Sequence, residues 1–166
     1  MDNEYFMKKA LAEAQAALVA GEFPVGCVMA HDNTILVSGS RKGTIGDYPN
    51  EVDHAEMVAL RRLFRLNPKI NLREITVFST LEPCLMCFGA LMISGIGKLV
   101  FAYEDAMGGG TRCDTANMTP LYKSNKMTII PGILRNESLK LVKTFFSKPQ
   151  NTYLNNSILA TYTLNQ

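Results

Sequence analysis

The segment from Arg73 to Tyr103 constrains the fold more than any other part of the chain, because it predicts a strand, a helix and a second strand in immediate succession. The three runs are REITVFSTL, PCLMCFGALMIS and KLVFAY. Apolar residues dominate both strands, and Pro83 occupies the first turn of the intervening helix, where proline is accepted. Two strands joined through a helix lie parallel in one sheet. The segment therefore predicts an α/β fold.

The remaining elements extend this prediction on both sides of the crossover. Residues 2–20 space their apolar side chains as in an amphipathic helix. The runs EFPVGCVMA and TILVSG predict a β-hairpin across an Asp-Asn turn, and a loop at residues 39–53 leads to a second helix that starts at His54 with Asp53 as its N-cap. KMTII predicts a further strand, and NESLKLVKTFF predicts a helix capped by Asn136. Helices and strands are thus expected through most of the chain.

Length and charge limit the class of protein. A chain of 166 residues suits one domain with its own core, which we expect at residues 1–148, followed by a C-terminal tail at residues 149–166 that covers the functional site. The net charge of +2 and the pI near 8.3 neither require nor exclude a nucleic-acid partner. The N-terminus lacks the pattern of a signal peptide, and no apolar run is long enough to cross a bilayer. We therefore expect no membrane partner, a cytoplasmic location and reduced thiols at the four cysteines.

Two of those cysteines, Cys84 and Cys87, lie three positions apart behind Pro83, at the start of a predicted helix. Side chains at i and i+3 share one helical face, and a helix N-terminus favours the thiolate that zinc requires. His54 starts the other predicted helix, so it meets both sulfurs if the two helix starts are adjacent at one edge of the sheet. Three protein ligands leave a fourth tetrahedral position for water, as in catalytic zinc sites. Glu56, two residues after His54, is then placed as the proton carrier.

The tripeptide HAE at residues 54–56 and the run PCLMC at residues 83–87 resemble the signature of the zinc-dependent cytidine and deoxycytidylate deaminase superfamily. Within it, the chain is most similar to the bacterial tRNA adenosine deaminase family, over roughly residues 4–147. The resemblance implies a three-layer α/β/α cytidine-deaminase-like fold with a mixed five-stranded sheet, commonly as a homodimer. It also implies a hydrolytic enzyme that converts the exocyclic amine of a nucleobase to a carbonyl with release of ammonia, with adenosine in a tRNA anticodon loop as the substrate.

The resemblance also implies roles for individual residues. The ligands of one catalytic Zn²⁺ ion per chain correspond to His54, Cys84 and Cys87. The general acid and base corresponds to Glu56. Residues near the substrate correspond to Val25, Ala55 and Pro83. Such a zinc ion activates water near neutral pH, and the glutamate moves the protons.

Three regions depart from the tRNA-acting family. Its members usually carry an asparagine soon after the second strand, where this chain reads Gly-Ser-Arg-Lys at residues 39–42. Asn50 is a candidate replacement for that substrate contact, and it also suits a solvent-facing turn. Met107 stands in place of a lysine, and the C-terminal tail is poor in the basic residues that would bind RNA phosphates. A small molecule, namely a free base, nucleoside or nucleotide of the cytosine, guanine or adenine type, is therefore the alternative substrate.

Two different classes of protein remain as alternatives. In the first, zinc is structural and the chain is a non-catalytic RNA-binding or interaction module. Such a site needs a fourth ligand, for which the candidates are Cys27, Cys113 and His31. In the second, Cys84 is a nucleophile with His54 as its base, as in thiol hydrolases. Neither alternative gives Glu56 a role, whereas deaminase chemistry requires it.

Overall fold

The computed structural model of the chain describes residues 1–67 and 69–166, and these residues form a mixed five-stranded sheet with helices on both faces. The strands are β1 (Gly26–His31), β2 (Thr34–Ser40), β3 (Thr76–Leu81), β4 (Lys98–Tyr103) and β5 (Thr128–Ile130). The helices are α1 (Asn3–Val19), α2 (Ala55–Leu66), α3 (Leu85–Ile93), α4 (Pro120–Lys123), α5 (Arg135–Phe146) and α6 (Ile158–Leu164). None of the helices in these ranges is both long and apolar enough to cross a membrane. The three-layer α/β/α fold is the one that the resemblance implies.

The strand order in the sheet is β2-β1-β3-β4-β5. β1 and β2 form the predicted antiparallel hairpin, and Asp32 and Asn33 of its turn adopt φ angles of 45° and 62°, which Asp and Asn tolerate better than most residues. β3 runs parallel to β4, and α3 connects them, which confirms the predicted crossover. β4 also runs parallel to β5, whereas β1 and β3 are antiparallel. The carboxyl ends of β3 and β4 therefore share one edge of the sheet, and α3 begins there.

The two faces of the sheet bury separate apolar clusters. In one cluster, α2 and α3 contribute fully buried leucines, among them Leu63 and Leu91. In the other, α1 buries Phe6 and Met7, and the rings of Phe6 and Phe78 stack with their centroids 5.2 Å apart. Each such side chain contributes about 1.5–3 kcal/mol through the hydrophobic effect. This packing fixes the positions of α2 and α3, and hence of the residues at their first turns.

Two of the predicted N-caps are wrong. The structure has His54 at the N-cap of α2, because the carboxylate of Asp53 binds the guanidinium of Arg61 instead of capping the helix. Likewise, the N-cap of α5 is Leu134, which adopts a φ of 54°. The helix begins at Arg135, so Asn136 already lies inside it. The first correction places His54, with extended backbone angles, directly before the first turn of α2.

Sequence patterns do not predict α6, the last helix. Ser157 caps it, since the Ser157 hydroxyl accepts the N–H of Ala160 at 3.1 Å. Leu159 is 1% exposed and belongs to the same apolar cluster as the leucines of α2 and α3. The hydroxyl of Thr163 bonds that of Tyr103 at 3.1 Å. The C-terminal segment is therefore packed against the rest of the chain.

Candidate metal centre and active site

His54, Cys84 and Cys87 come together at the edge of the sheet where α2 and α3 begin. His54 is the N-cap of α2, Cys84 is the N-cap of α3, and Cys87 lies in the first turn of α3. The Nδ1 atom of His54 lies 3.5 Å from the Sγ of Cys84 and 3.6 Å from the Sγ of Cys87. All three potential ligand atoms lie within 4.8 Å of one another. The structure thus brings together the three side chains that the sequence pattern indicates.

This set of donor atoms fits a zinc ion. In tetrahedral sites zinc bonds thiolate sulfur at about 2.3 Å and imidazole nitrogen at about 2.0 Å, which places nitrogen and sulfur about 3.5 Å apart. Both nitrogen–sulfur separations match that value. Within residues 1–67 and 69–166, no further His, Cys, Asp or Glu joins this group of three, so Cys27, Cys113 and His31 do not complete a closed four-ligand site. Three protein ligands are the pattern of a catalytic zinc.

The two thiols of the site share one negative charge. The pKa of Cys84 is lowered to about 4, chiefly because Cys87 donates a hydrogen bond to it, and the neighbouring His54 ring lowers it further. The pKa of Cys87 is raised by the same hydrogen bond and by burial. The N-termini of α2 and α3 add the positive ends of their helix dipoles. The pair therefore carries a thiolate at neutral pH, which is the form that binds zinc.

Glu56 is 3% exposed, lies in the first turn of α2 and faces the same cavity as His54. Ser79 of β3 donates a hydrogen bond to its Oε1 at 2.8 Å. Burial raises the pKa of Glu56, and the contacts with Ser79 and His54 oppose that rise. A carboxyl group with a raised pKa exchanges protons more effectively near neutral pH. No sequence motif includes Ser79, although a hydroxyl in a strand predicted to be buried is a detectable signal.

A cavity of about 160 Å³ opens beside the metal site. Its lining includes Val25 and Ala55, two of the residues for which the resemblance implies substrate contacts. Phe23 and Leu81 add apolar surface, and Glu56 lies among the polar groups. An apolar cavity with a few polar groups beside a metal site is the usual form of a small-ligand site.

The structure places Pro83 and Asn50, the other two residues indicated by the sequence, away from the cavity lining. Pro83 lies between two lining residues, and its carbonyl accepts a backbone hydrogen bond from the loop after β4 at 2.8 Å. The Asn50 amide donates to the carboxylate of Asp53 at 2.7 Å, and its carbonyl oxygen accepts the N–H of Val52 at 2.9 Å. A substrate contact of either residue stays a prediction.

A network of charged and polar groups forms another wall of the cavity, and no sequence motif indicates it. Arg41 is 2% exposed and donates hydrogen bonds to the Oε2 of Glu51 at 3.0 Å and to the hydroxyl of Tyr153 at 3.2 Å. The Tyr153 hydroxyl donates to the same Glu51 oxygen at 3.0 Å. These residues belong to the loop before α2 and to the C-terminal segment, where no periodic pattern indicates which side chains meet.

Glu82 is 2% exposed and fixes the loop that follows β4. One of its carboxylate oxygens accepts the N–H of Asp105 at 3.1 Å, and the other accepts the hydroxyl of Thr111. The loop approaches so closely that a Cβ at Gly109 would lie 2.5 Å from the carboxyl carbon of Glu82. Met107 of this loop lines the cavity. Glu82 therefore holds a further wall of the cavity in place.

The amino-terminal part of the chain matches a known family. Residues 1–103 match the family model of the cytidine and deoxycytidylate deaminase zinc-binding region. The matched region contains the three candidate zinc ligands and Glu56. A curated relative, the tRNA-specific adenosine deaminase of Buchnera aphidicola subsp. Baizongia pistaciae (strain Bp), is 32% identical over 160 residues, which cover 95% of this chain and 98% of the relative.

Solved structures show a similar fold. A structure from work on A-to-I editing by tRNA:A34 deaminases matches with a TM-score of 0.68 at 23% identity, over 80% of this chain and 100% of that chain. Guanine deaminase from Nitrosomonas europaea matches with a TM-score of 0.69 at 22% identity, over 86% of this chain and 83% of that chain. At these identities the likeness shows the fold alone.

Proposed function

The chain belongs to the cytidine and deoxycytidylate deaminase zinc-binding family and is a hydrolytic zinc deaminase, and from this premise we propose that it deaminates adenosine in tRNA. The observation that carries the proposal is the group of His54, Cys84 and Cys87 beside the buried Glu56, at a cavity of about 160 Å³. The relative from Buchnera aphidicola, which the chain matches over almost its whole length, is a tRNA-specific adenosine deaminase. In the reaction, one water is consumed, the exocyclic amine becomes a carbonyl, and ammonia leaves.

We assign the proton transfers to Glu56. A zinc ion held by His54, Cys84 and Cys87 supplies the Lewis acidity that makes water nucleophilic near neutral pH. Ser79 engages Oε1 of Glu56, so Oε2 is the oxygen that takes a proton from the water. The same oxygen delivers this proton to the ring nitrogen, then takes the second proton from the new hydroxyl group as the carbonyl forms and delivers it to the amine, which leaves as ammonia. Because Glu56 is buried, bulk water does not compete for these protons.

The cavity suits a single heterocycle. Its volume of about 160 Å³ is below the roughly 300–1,000 Å³ of pockets that enclose drug-sized ligands. A base therefore enters while its sugar and phosphates stay outside, as when an RNA-modifying enzyme binds an extruded nucleotide. Val25 provides apolar surface for the ring. The backbone around Ala55 and Pro83 is the proposed source of polar contacts, with Asn50 as a candidate outside the cavity.

Deamination of a free base or nucleoside is the second candidate function, and the position of the C-terminal segment favours it. Tyr153, Leu154 and Leu159 of this segment line the cavity. Arg41 binds Tyr153, so the segment is attached to the loop before α2. In this second candidate, residues 149–166 cover the site of a deaminase domain at residues 1–148, and a cover of this kind favours a small substrate over a folded RNA.

Ammonia release from a panel of substrates distinguishes the two candidates. The panel contains free bases, nucleosides, nucleotides and a tRNA anticodon stem-loop, and protein with Glu56→Ala serves as the blank. We expect release from the stem-loop, because a base-sized cavity leaves the sugar and backbone to be bound at the protein surface. A coupled assay for ammonia measures the rate.

Each other outcome of the panel has a definite meaning. Release confined to a free base or nucleoside would contradict the tRNA assignment and establish the second candidate. Absence of release from every compound, by protein that contains zinc, would contradict both candidates.

We also propose that the protein is a homodimer that acts in the cytoplasm. α3 presents an exposed apolar strip, since Leu85, Met86 and Ile93 are 53%, 38% and 59% exposed. Gly89 lies on the same helix, and nothing is within 4 Å of the position where its Cβ would be. A second copy of the chain is the occupant that we assign to this strip, because the resemblance implies a dimer. The four cysteines are free thiols, as a reducing compartment requires.

Ile93→Glu is expected to convert the dimer to a monomer. The change would place a charge inside the proposed interface, and an unpaired charge is costly to bury. Size-exclusion chromatography with light scattering measures the mass in solution. Val19→Glu is the matched control, because Val19 is 80% exposed on α1, and it is expected to leave the mass unchanged. A wild-type protein with the mass of one chain, or a dimeric Ile93→Glu variant, would refute the proposed interface.

A further inference from the structure

Glu51 is the point where the loop before α2, the C-terminal segment and the metal site meet. Its Oε2 accepts hydrogen bonds from the guanidinium of Arg41 and from the hydroxyl of Tyr153, each at 3.0 Å. The same oxygen lies 3.7 Å from the Nε2 of His54. This separation exceeds the length of a hydrogen bond, so the contact is electrostatic. Glu51 thus faces the ring nitrogen of His54 that is not directed at the sulfurs.

The contact bears on which nitrogen of His54 carries the proton. His54 directs Nδ1 toward the sulfurs of Cys84 and Cys87. For Nδ1 to offer its lone pair to a metal, the proton of the neutral ring must sit on Nε2. A carboxylate that faces Nε2 favours this tautomer and restrains the orientation of the ring. The negative charge of Glu51 therefore lies where it prepares His54 for metal binding.

Glu51 needs support to keep that position. Its side chain is 57% exposed, so holding it opposite His54 costs rotamer entropy. Fixed hydrogen-bond partners offset this cost. Arg41 is a rigid partner, because it is 2% exposed and also donates to the carbonyl oxygens of two loop residues at 3.0 Å and 2.6 Å. The Tyr153 hydroxyl accepts a hydrogen bond from Arg41 and donates one to Glu51. The ring of Tyr153 packs against that of Phe23, with the two centroids 5.7 Å apart. Both supports are themselves held by the fold.

We propose that Glu51 is a positioning residue for His54, and that Tyr153 makes the C-terminal segment a part of this support. The docked segment then strengthens metal binding in addition to lining the cavity. The inference rests on the proposed function, because it takes His54 as a zinc ligand. Its consequence is a change in metal affinity, which is measured without any substrate.

The zinc affinity of full-length variants tests the proposal. Competition with a chromophoric chelator gives the dissociation constant for zinc alone. Glu51→Gln is expected to raise this constant by up to about 10-fold, the lower end of the range for hydrogen-bonded partners of metal-binding histidines, because the contact is longer than a hydrogen bond. Tyr153→Phe is expected to raise it by a smaller factor, because only the hydroxyl is lost. The double variant is expected to match Glu51→Gln, because Tyr153 acts through Glu51. The absorption spectrum of the cobalt-substituted variants reports the altered ligand geometry.

Two matched variants serve as controls. Asp53→Asn removes the same charge from the same loop, but Asp53 pairs with Arg61. Tyr162→Phe removes a hydroxyl from the same C-terminal segment, but that hydroxyl donates to Glu104. Both controls are expected to bind zinc as the wild type does.

Comparison of each variant with its control shows which results would overturn the proposal. Equal losses of zinc affinity in Glu51→Gln and Asp53→Asn would indicate a general effect of charge, and unchanged affinity in Glu51→Gln would remove the positioning role. Equal affinities in Tyr153→Phe and Tyr162→Phe would remove the role of the segment. Zinc binding that responds as expected, in a protein that releases no ammonia from any substrate, would contradict the proposed function and leave this inference standing.

Discussion

Glu56→Ala is expected to retain zinc and to lose deamination. Removal of a positioned general acid and base lowers turnover by about 10²- to 10⁴-fold, which is about 3–5 kcal/mol of activation free energy. Zinc is retained because Glu56 does not belong to the group of His54, Cys84 and Cys87. Ammonia release at saturating substrate measures turnover, and elemental analysis measures zinc per chain.

Glu56→Gln is the matched variant for shape. Its amide oxygen can still accept the hydrogen bond from Ser79, but the amide does not exchange protons as a carboxylate does. Turnover should therefore fall as far as in Glu56→Ala. If Glu56→Gln kept most of the activity, the carboxylate would not be the proton carrier. Loss of zinc from both variants would instead place Glu56 among the metal ligands.

Cys87→Ala is expected to lose both zinc and activity. Cys87 is buried, and its Sγ lies 3.6 Å from the Nδ1 of His54. Its removal leaves two protein ligands, which do not hold zinc as three do. Elemental analysis of the purified variant is expected to show zinc content falling from about one ion per chain to near zero. Deamination should fall to the level of the blank.

Cys113→Ala is the control for the loss of a thiol. Cys113 is also a free cysteine, but it lies outside the ligand group, so zinc and activity are expected to remain. Circular dichroism tests whether both variants are folded. This test is needed for Cys87→Ala, because the loss of a buried side chain leaves a small cavity that lowers stability. Full zinc content in Cys87→Ala would contradict the three-ligand site, and loss of zinc from Cys113→Ala would add a ligand to it.

Features that depend on local spacing are predictable from the sequence. The hairpin turn at Asp32 and Asn33 and the crossover from β3 to β4 follow from short-range patterns, and the structure confirms them. Cys84 and Cys87 are three residues apart on one helix, so their proximity is also local. His54 joins them because α2 and α3 begin at the same edge of the sheet, as is usual for ligands in α/β folds.

Features that depend on which distant segments pack together are not predictable in this way. Arg41 meets Tyr153 only because the C-terminal segment folds back over the loop before α2. Asp53 is a favourable N-cap residue by composition, but the nearby guanidinium of Arg61 competes successfully for its carboxylate. The pairing of Ser79 with Glu56 depends on the register of a buried strand against a helix. In each case the partner is fixed by tertiary structure.

The pairing of β1 with β3 brings the two parts of the metal site together. α2, with His54 at its start, packs on β1 and β2, whereas the two cysteines follow β3. The halves are joined through pairs such as Cys27 with Ser79, and contacts between distant parts of a chain form slowly. In zinc fingers the ligands lie close along the chain, and the metal drives folding. Here the ligands lie on segments that the paired central strands bring together, so we expect zinc to bind to a sheet that has already assembled and not to nucleate it.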